Sequence, residues 1–255
     1  MDRSALHIRF VGHATILLEA SGTRVLTDPF LRGRLGPLSR HGPAPDLAIL
    51  GDLDLVVISH AHPDHFDLAS LGALGGRPTV VVPRGLGTRA RRAVRGEVVE
   101  VETGDALTVG GVTLRAVEAQ HWQTPGAIRA QPIGFVLDLG TRVYFAGDTG
   151  RFGAMCDLAG GVDVAFLPVW TWGPHLGPGH LGPRSAAEAL ADIQPAVAVP
   201  IHWGTLYPAQ LHRLWRTPLD DPGRRFKMHA GRTAPAVEVR VLRPGATTEI
   251  AGRPG

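Results

Sequence analysis

Apolar runs that stop at a histidine or an aspartate recur along this chain, and they constrain its fold more than any other feature. "LDLVVI" leads into Ser59-His60, "LRAVEAQ" into His121, "VYFAG" into Asp148 and "AVAVPI" into His202. Short apolar runs bounded by turn residues are the pattern of buried strands. A polar side chain that ends such a strand sits on the rim of a sheet. One histidine there reads as a hydrogen-bonded structural residue, whereas four ligand-type terminations together read as a site.

The remaining pattern supplies the frame. "LHIRFVGHATILLEASGTRVLTDP" reads as three short strands, with alternation in "TILLEA" and a Ser-Gly turn before the third. Residues 31–48, rich in Gly, Pro and Arg, read as a long loop bordering a site. Helical spacing appears at "DLASLGALG", over residues 86–95 and over residues 184–194, with a short helix near 153–158. Further strands are expected at "PTVVVP", "EVVEVE", "ALTV", "VTLRAVEAQH", "IGFVLDLG", "TRVYFAGD", "VDVAFLPV" and "AVEVRVL", with the tail after residue 244 fraying. Both halves run strand, strand, helix, which suggests two similar sheets packed together in one domain spanning residues 1–255.

Composition narrows the chemistry. The single cysteine, Cys156, excludes an internal disulfide and a thiolate-built metal site, while twelve histidines favour imidazole and carboxylate ligation. No apolar run approaches 18 residues and "MDRSALHIRF" lacks the layout of a signal peptide, so the expected location is the cytoplasm, without membrane insertion. A formal charge of +3 is modest, and Lys227 is the only lysine among 26 basic residues. The stretch "TRARRAVR" sets Arg91, Arg92 and Arg95 on one helical face; without interleaved aromatics this reads as a solvated face ahead of a phosphate-binding one.

The densest feature is His60-Ala-His62-Pro-Asp64-His65. Curling after a strand, that loop can turn His60 and His62 toward one point and Asp64 and His65 toward a neighbouring one. Zinc takes imidazole nitrogen at about 2.0–2.1 Å, and a catalytic site needs three or more protein ligands and an open position. The loop supplies four side chains, so the rest must come from other strand ends.

HxHxDH, followed by His121, by Asp148 in "AGDTG" and by His202 in "IHWGT", resembles the metallo-β-lactamase fold superfamily over nearly the whole chain. "GHATILLEASGTRVLTDPF", "AQHW", "GDTGRF" and "PIHWGT" are most similar to the branch holding ascorbate-6-phosphate lactonase and N-acyl phosphatidylethanolamine phospholipase D. The resemblance implies an α/β fold, a four-layer αββα sandwich with two metal ions, Zn2+ by expectation and Mn2+ or Fe2+ as alternatives, at one edge between the sheets. It implies His60, His62 and His121 on one ion, Asp64, His65 and His202 on the other, and Asp148 bridging. Pro63 stands where phospholipase-like relatives carry a bulky aromatic. A water shared by two dications about 3.5–4 Å apart loses a proton near neutral pH and becomes a nucleophile. The expected activity is therefore hydrolysis of a small-molecule phosphoester or lactone-type ester, with Asp64 holding or shuttling the proton. A ribonuclease Z-like nuclease and a non-catalytic metal-stabilised binding protein are the alternatives.

Other polar residues carry open readings. Asp28 in "TDP" and Asp67 are candidates for orienting ligand histidines, Asp28 equally for an Asp-Pro turn. His180 matches a histidine that the phospholipase-like branch places near its metals and is the candidate acid, with His175 competing. His13 either approaches the site or fixes the first hairpin. Trp122, Trp170, Trp172 and Trp203 either wall the site or brace loops.

Overall fold

A computed structural model describes residues 5–122, 130–171, 176–211 and 217–252. In β1 (Leu6–Gly12) the buried Leu6, Ile8 and Phe10 alternate with His7 and Arg9. That period of two gives a strand with one core face. β2 (Thr15–Ala20) and β3 (Thr23–Thr27) pair with it as an antiparallel meander. β4 (Arg34–Leu35) and β5 (Leu38–Arg40) form a hairpin inside the segment expected to be a loop, followed by α1 (Leu47–Leu50). Three parallel strands then complete the sheet: β6 (Leu55–Val57), β7 (Thr79–Pro83) and β8 (Val98–Val101), with α2 (Leu68–Ala73) and α3 (Gly87–Ala90) in the crossovers.

The second half repeats this plan. β9 (Ala106–Val109), β10 (Val112–Glu118), β11 (Ile133–Asp138) and β12 (Arg142–Phe145) pair antiparallel. A 3-10 turn over Gly153–Leu158 leads to β13 (Val164–Pro168), and α4 (Pro183–Ile193) to β14 (Val197–Ile201). After β15 (Leu206–Pro208), α5 (Thr217–Asp220) and α6 (Pro222–Thr233) come β16 (Glu238–Val239) and β17 (Thr247–Ile250). The first sheet has the order β17-β1-β2-β3-β6-β7-β8, the second β16-β14-β13-β12-β11-β10-β9, and β15 joins the β4–β5 hairpin in a small third sheet.

Alternation sorts the apolar side chains into three layers of core. Phe10, Ile16, Leu55 and Val57 from the first sheet meet Phe135, Phe145, Phe166 and Val199 from the second. Leu17, Val56, Ile58 and Val80 face outward and are covered by Leu71 of α2 and Ala90 of α3. Tyr144, Ala165 and Leu167 face the other way, under Ala186 and Leu190 of α4 and Phe226 of α6. Four layers follow from this, helices outside two sheets, and the expected αββα sandwich is what the chain adopts.

Several boundaries differ from the sequence reading. The tail does not fray immediately after residue 244: Thr247–Ile250 pairs with β1, with Leu6 opposite Ile250, which is buried. Only Glu238–Val239 of "AVEVRVL" is strand, paired with β14. The helix expected over residues 86–95 stops at Ala90; Arg91, Arg92 and Arg95 are exposed, and Arg91 pairs with Glu100 at 3.5 Å. α6 escaped notice because "PGRRFKMHAGRT" buries only a thin stripe, chiefly Phe226 and Ala230. Among the described residues no helix is long and apolar enough to cross a membrane.

Candidate metal centre

β3, β6, β12 and β14 end at one rim, where open α/β sheets hold their ligands. Ile58 N still donates to Val81 O at 2.9 Å, so the chain leaves the first sheet at Ser59. Ser59 O accepts from Ile133 N of the second sheet at 3.0 Å, which fixes the start of the His60–His65 loop at the seam between sheets. The loop then turns tightly, with His65 N and Phe66 N both donating to His62 O. On the facing sheet Gln120 N donates to Thr149 Oγ1 (2.9 Å) and Gly150 N to Gln120 O (2.8 Å), locking the His121 loop to the Asp148 loop.

These constraints gather the side chains into two adjoining clusters. His62 Nδ1 lies 3.1 Å from His60 Nε2 and 3.0 Å from His121 Nε2. His65 Nε2 and His202 Nε2 lie 3.2 Å apart, with Asp64 Oδ2 at 3.7 and 3.5 Å from them. Asp148 Oδ2 stands between the clusters, 3.4 Å from His65 Nε2, 3.3 Å from His202 Nε2 and 3.9 Å from His121 Nε2. The loop turns as its spacing suggested, two histidines one way and Asp64 with His65 the other.

Hydrogen bonds at the far ring nitrogens set the tautomers. Ser59 Oγ donates to Asp28 Oδ2 (2.5 Å) and so accepts from His60 Nδ1 (2.9 Å). His121 Nδ1 donates to Gly179 O (2.9 Å), His202 Nδ1 to Trp170 O (2.7 Å) and His65 Nδ1 to Asp28 Oδ2 (2.6 Å). In the neutral rings all four Nε2 atoms are therefore bare: those of His60 and His121 both face His62 Nδ1, which carries at most one proton and can satisfy only one of them, and those of His65 and His202 face each other. Asp148 Oδ1 is buried with no hydrogen-bond partner. More lone pairs converge than neutral rings have protons to separate them, and beside an orphaned carboxylate oxygen this donor set fits metal cations around Asp148.

The electrostatics agree. Burial holds His60 well below the ordinary imidazole range, helped by His65, and brings His121 down to about 4. Burial also works against charge on His65 and His202, but Asp148 and Asp64 outweigh it and raise both. Burial opposes charge on Asp64 and Asp148 too, and their histidine neighbours overcome it to hold both carboxyls well below the usual range. The second cluster thus attracts positive charge, which a metal ion supplies as well as a proton does. Backbone strain concentrates here: of the five non-glycine residues with positive φ among the described residues, His13, Asp28 and His202 belong to this cluster.

The remaining candidates divide. Asp28 orients His65 and clamps Ser59, whose amide donates to its Oδ1 at 2.7 Å. Asp67 does not orient a histidine: it caps α2, accepting from Ser70 N and Oγ, and pairs with Arg32 at 3.1 Å. His180 reaches the site, with Nε2 at 3.7 Å from Asp148 Oδ2 and its ring edge-on to His121. His175 and Trp172 lie outside the described residues. Trp203 is core, donating from Nε1 to Pro200 O at 3.0 Å; Trp170 packs on Tyr207, and Trp122 is half exposed beside His121. His13 does approach the cluster, with Nε2 at 2.9 Å from Asp64 Oδ2. Sequence reasoning missed Ser59 and Gly179, for which no spacing rule exists.

A family model described as "Beta-lactamase superfamily domain" matches residues 23–203. The chain is 33% identical over 251 residues to a UPF0173 metal-dependent hydrolase from Thermus thermophilus, covering 96% of this chain and 99% of that one. It is 34% identical over 224 residues to an uncharacterized protein of Mycobacterium bovis, covering 80% of this chain but spanning only 60% of the length of that mycobacterial relative. In structure it is similar to Igni18, described as a novel metallo hydrolase, from Ignicoccus hospitalis, with a TM-score of 0.73, 22% identity and coverage of 97% and 99% of the two chains. The family match takes in more than half of the chain and agrees with the metal-ready rim, so the chain belongs to the beta-lactamase superfamily and, within it, groups with the UPF0173 metal-dependent hydrolases.

Proposed function

We propose that the chain is a dinuclear metal-dependent hydrolase, acting in the cytoplasm on a small-molecule phosphoester or lactone-type ester. The observation that carries the reading is the set of bare imidazole nitrogens on both sides of Asp148, whose second oxygen is buried without a partner. His60, His62 and His121 would hold one ion, Asp64, His65 and His202 the other, with Asp148 shared. The donor set is nitrogen and oxygen, so Zn2+ suits it, and Mn2+ or Fe2+ are accommodated by the same atoms. When bound, such a pair supplies an acidified water and positive charge for the developing oxyanion.

The chain's own residues do the rest. Asp64, buried beside His65 and His202, would hold the nucleophile's proton. His180 Nδ1 donates to Gly177 O at 3.2 Å, so its Nε2 is the nitrogen that faces Asp148 and the reacting atoms. Its side chain is 19% exposed, open enough to meet a leaving oxygen and deliver a proton to it. The similarity of "GHATILLEASGTRVLTDPF" and "PIHWGT" to the lactonase and phospholipase-like branch supports an ester or phosphoester bond.

A substrate panel tests this. Bis(p-nitrophenyl) phosphate and simple lactones are expected to turn over, and His62→Ala to abolish that turnover. His180→Gln is expected to slow substrates with alkoxide leaving groups by about 10²–10⁴-fold while sparing p-nitrophenyl substrates, whose leaving group needs no proton. Turnover unchanged in His62→Ala would refute the reading, and equal slowing of both leaving-group classes would remove His180 from the acid role.

A further inference from the structure

We propose that His13 is a positioning residue for the second metal site: its Nε2–H holds Asp64 Oδ2 toward His65 and His202 without itself becoming a ligand. The inference rests on the dinuclear reading above. Four of the proposed ligand histidines have a far nitrogen fixed by a named partner, respectively Ser59, Asp28, Gly179 and Trp170. Among the described residues Asp64 has no such backbone partner, and the shortest contact of its Oδ2 is His13 Nε2 at 2.9 Å, ahead of His202 Nε2 at 3.5 Å and His65 Nε2 at 3.7 Å. A carboxylate can only accept when ionised, so the bond makes His13 Nε2 the donor. With that proton in place the nitrogen has no lone pair to offer a metal.

His13 is itself held rigidly enough to do this. Its backbone N donates to Thr205 Oγ1 at 2.8 Å and its carbonyl accepts from His202 N at 2.8 Å, so the turn after β1 is fastened to the segment after β14. Gly12 before it has φ +131°, and a Cβ there would lie 2.8 Å from Arg40 Nη1 and 3.0 Å from Thr205 Oγ1, so the approach is close by construction. The His13 ring lies against the His202 ring with centroids 3.9 Å apart, whereas His65 and His202 meet through their nitrogens with centroids 5.2 Å apart. His13 thus braces two proposed ligands at once, His202 by ring contact and Asp64 by hydrogen bond.

The test compares metal retention, not turnover. Fully loaded wild type, His13→Phe and His13→Gln are titrated with a chromophoric chelator, with the melting temperature of each metal-free protein as the folding control. Phe keeps the ring and loses the donor; Gln restores an N–H of similar reach. Expected is a loss of about 10–100-fold in affinity for one of two ions in His13→Phe, with the other unchanged, and recovery in His13→Gln. Should His13→Phe fail to fold, cadmium-113 and nitrogen-15 spectra of wild type decide, with cadmium coupling expected at His65 and His202 and a protonated, uncoupled Nε2 at His13. Unchanged affinity in His13→Phe, equal loss in Phe and Gln variants, or cadmium coupling to His13 would overturn the proposal. Wild type holding fewer than two ions would sink the dinuclear reading itself, independently of His13.

Discussion

Asp28 shows how much one buried carboxylate organises. It is fully buried, which raises its pKa, while His65 and Ser59 pull the other way by hydrogen bonding. Its Oδ2 receives the Nδ1 proton of His65 and thereby leaves Nε2 bare on the cluster side. In Asp28→Asn an amide N–H facing His65 Nδ1 would favour the other tautomer and place a proton where a metal should bind. The expected outcome is a drop of about 10–100-fold in affinity for the second ion by chelator competition. An unchanged affinity would mean that Asp28 serves only Ser59. At this scale the motif residues were readable because HxHxDH and the strand-end residues carry their chemistry in their identities. The orienting role of Asp28 was one of the two readings its sequence position left open, but which histidine it holds was not readable, because that partner lies 37 positions away; and Asp67 misled because an Asp three residues before Ser70 is also a helix cap.

Gly179 illustrates control by an element that contributes no side chain. It has φ +75°, and a Cβ there would lie 2.8 Å from both His121 Cα and Trp122 N. Gly179→Ala must push the loop before α4 away from His121 and break the bond to its Nδ1. A penalty of about 1–2 kcal/mol is expected from the left-handed backbone alone, seen as a Tm lower by a few degrees, together with weaker binding of the first ion. α4 offers the contrasting case: Leu190 is fully buried between the second sheet and α6, so Leu190→Ala should cost about 2–5 kcal/mol in urea unfolding and leave metal stoichiometry at its wild-type value. Strands and α4 were legible because their apolar periods of 2 and 3.6 are imposed by burial on one face. The β4–β5 hairpin and α6 were not, since a two-residue strand and a helix with a narrow buried stripe leave almost no period to see.

For the whole molecule, the two half-antiparallel, half-parallel sheets bring their strand ends to a common rim, and the cluster's charges make stability depend on pH. Burial, with His202 alongside, lowers His13 to about 3, and burial brings His121 to about 4, against an ordinary value of 6.5. Between those values and 6.5 the unfolded chain binds protons that the folded chain refuses, so folding stability rises with pH across that window. His65 and His202 have the opposite sign: raised in the folded state, they contribute fully below 6.5 and lose that contribution as pH climbs through their folded values. Their share is therefore constant in the acid window. Asp28, raised by burial, acts against this slope, but it is one group against the four lowered histidines His13, His60, His62 and His121, so the urea midpoint of metal-free protein should fall as pH is lowered from 6.5 to 4, and a midpoint that rises instead would contradict the assigned protonation states.

The repetition of strand, strand, helix in both halves made the paired sheets legible, and the rim followed from where the apolar runs stop. The packing partners behind that rim, Gly179, Trp170 and Thr205, were invisible because they act through backbone atoms or at long range. The most direct test is the metal content of protein purified without chelator or metal-affinity contact, beside His62→Ala. Close to two ions per chain in the wild type, with one site lost in His62→Ala, is the predicted result. Clearly fewer than two ions per chain, or the same content in both proteins, would contradict a dinuclear centre.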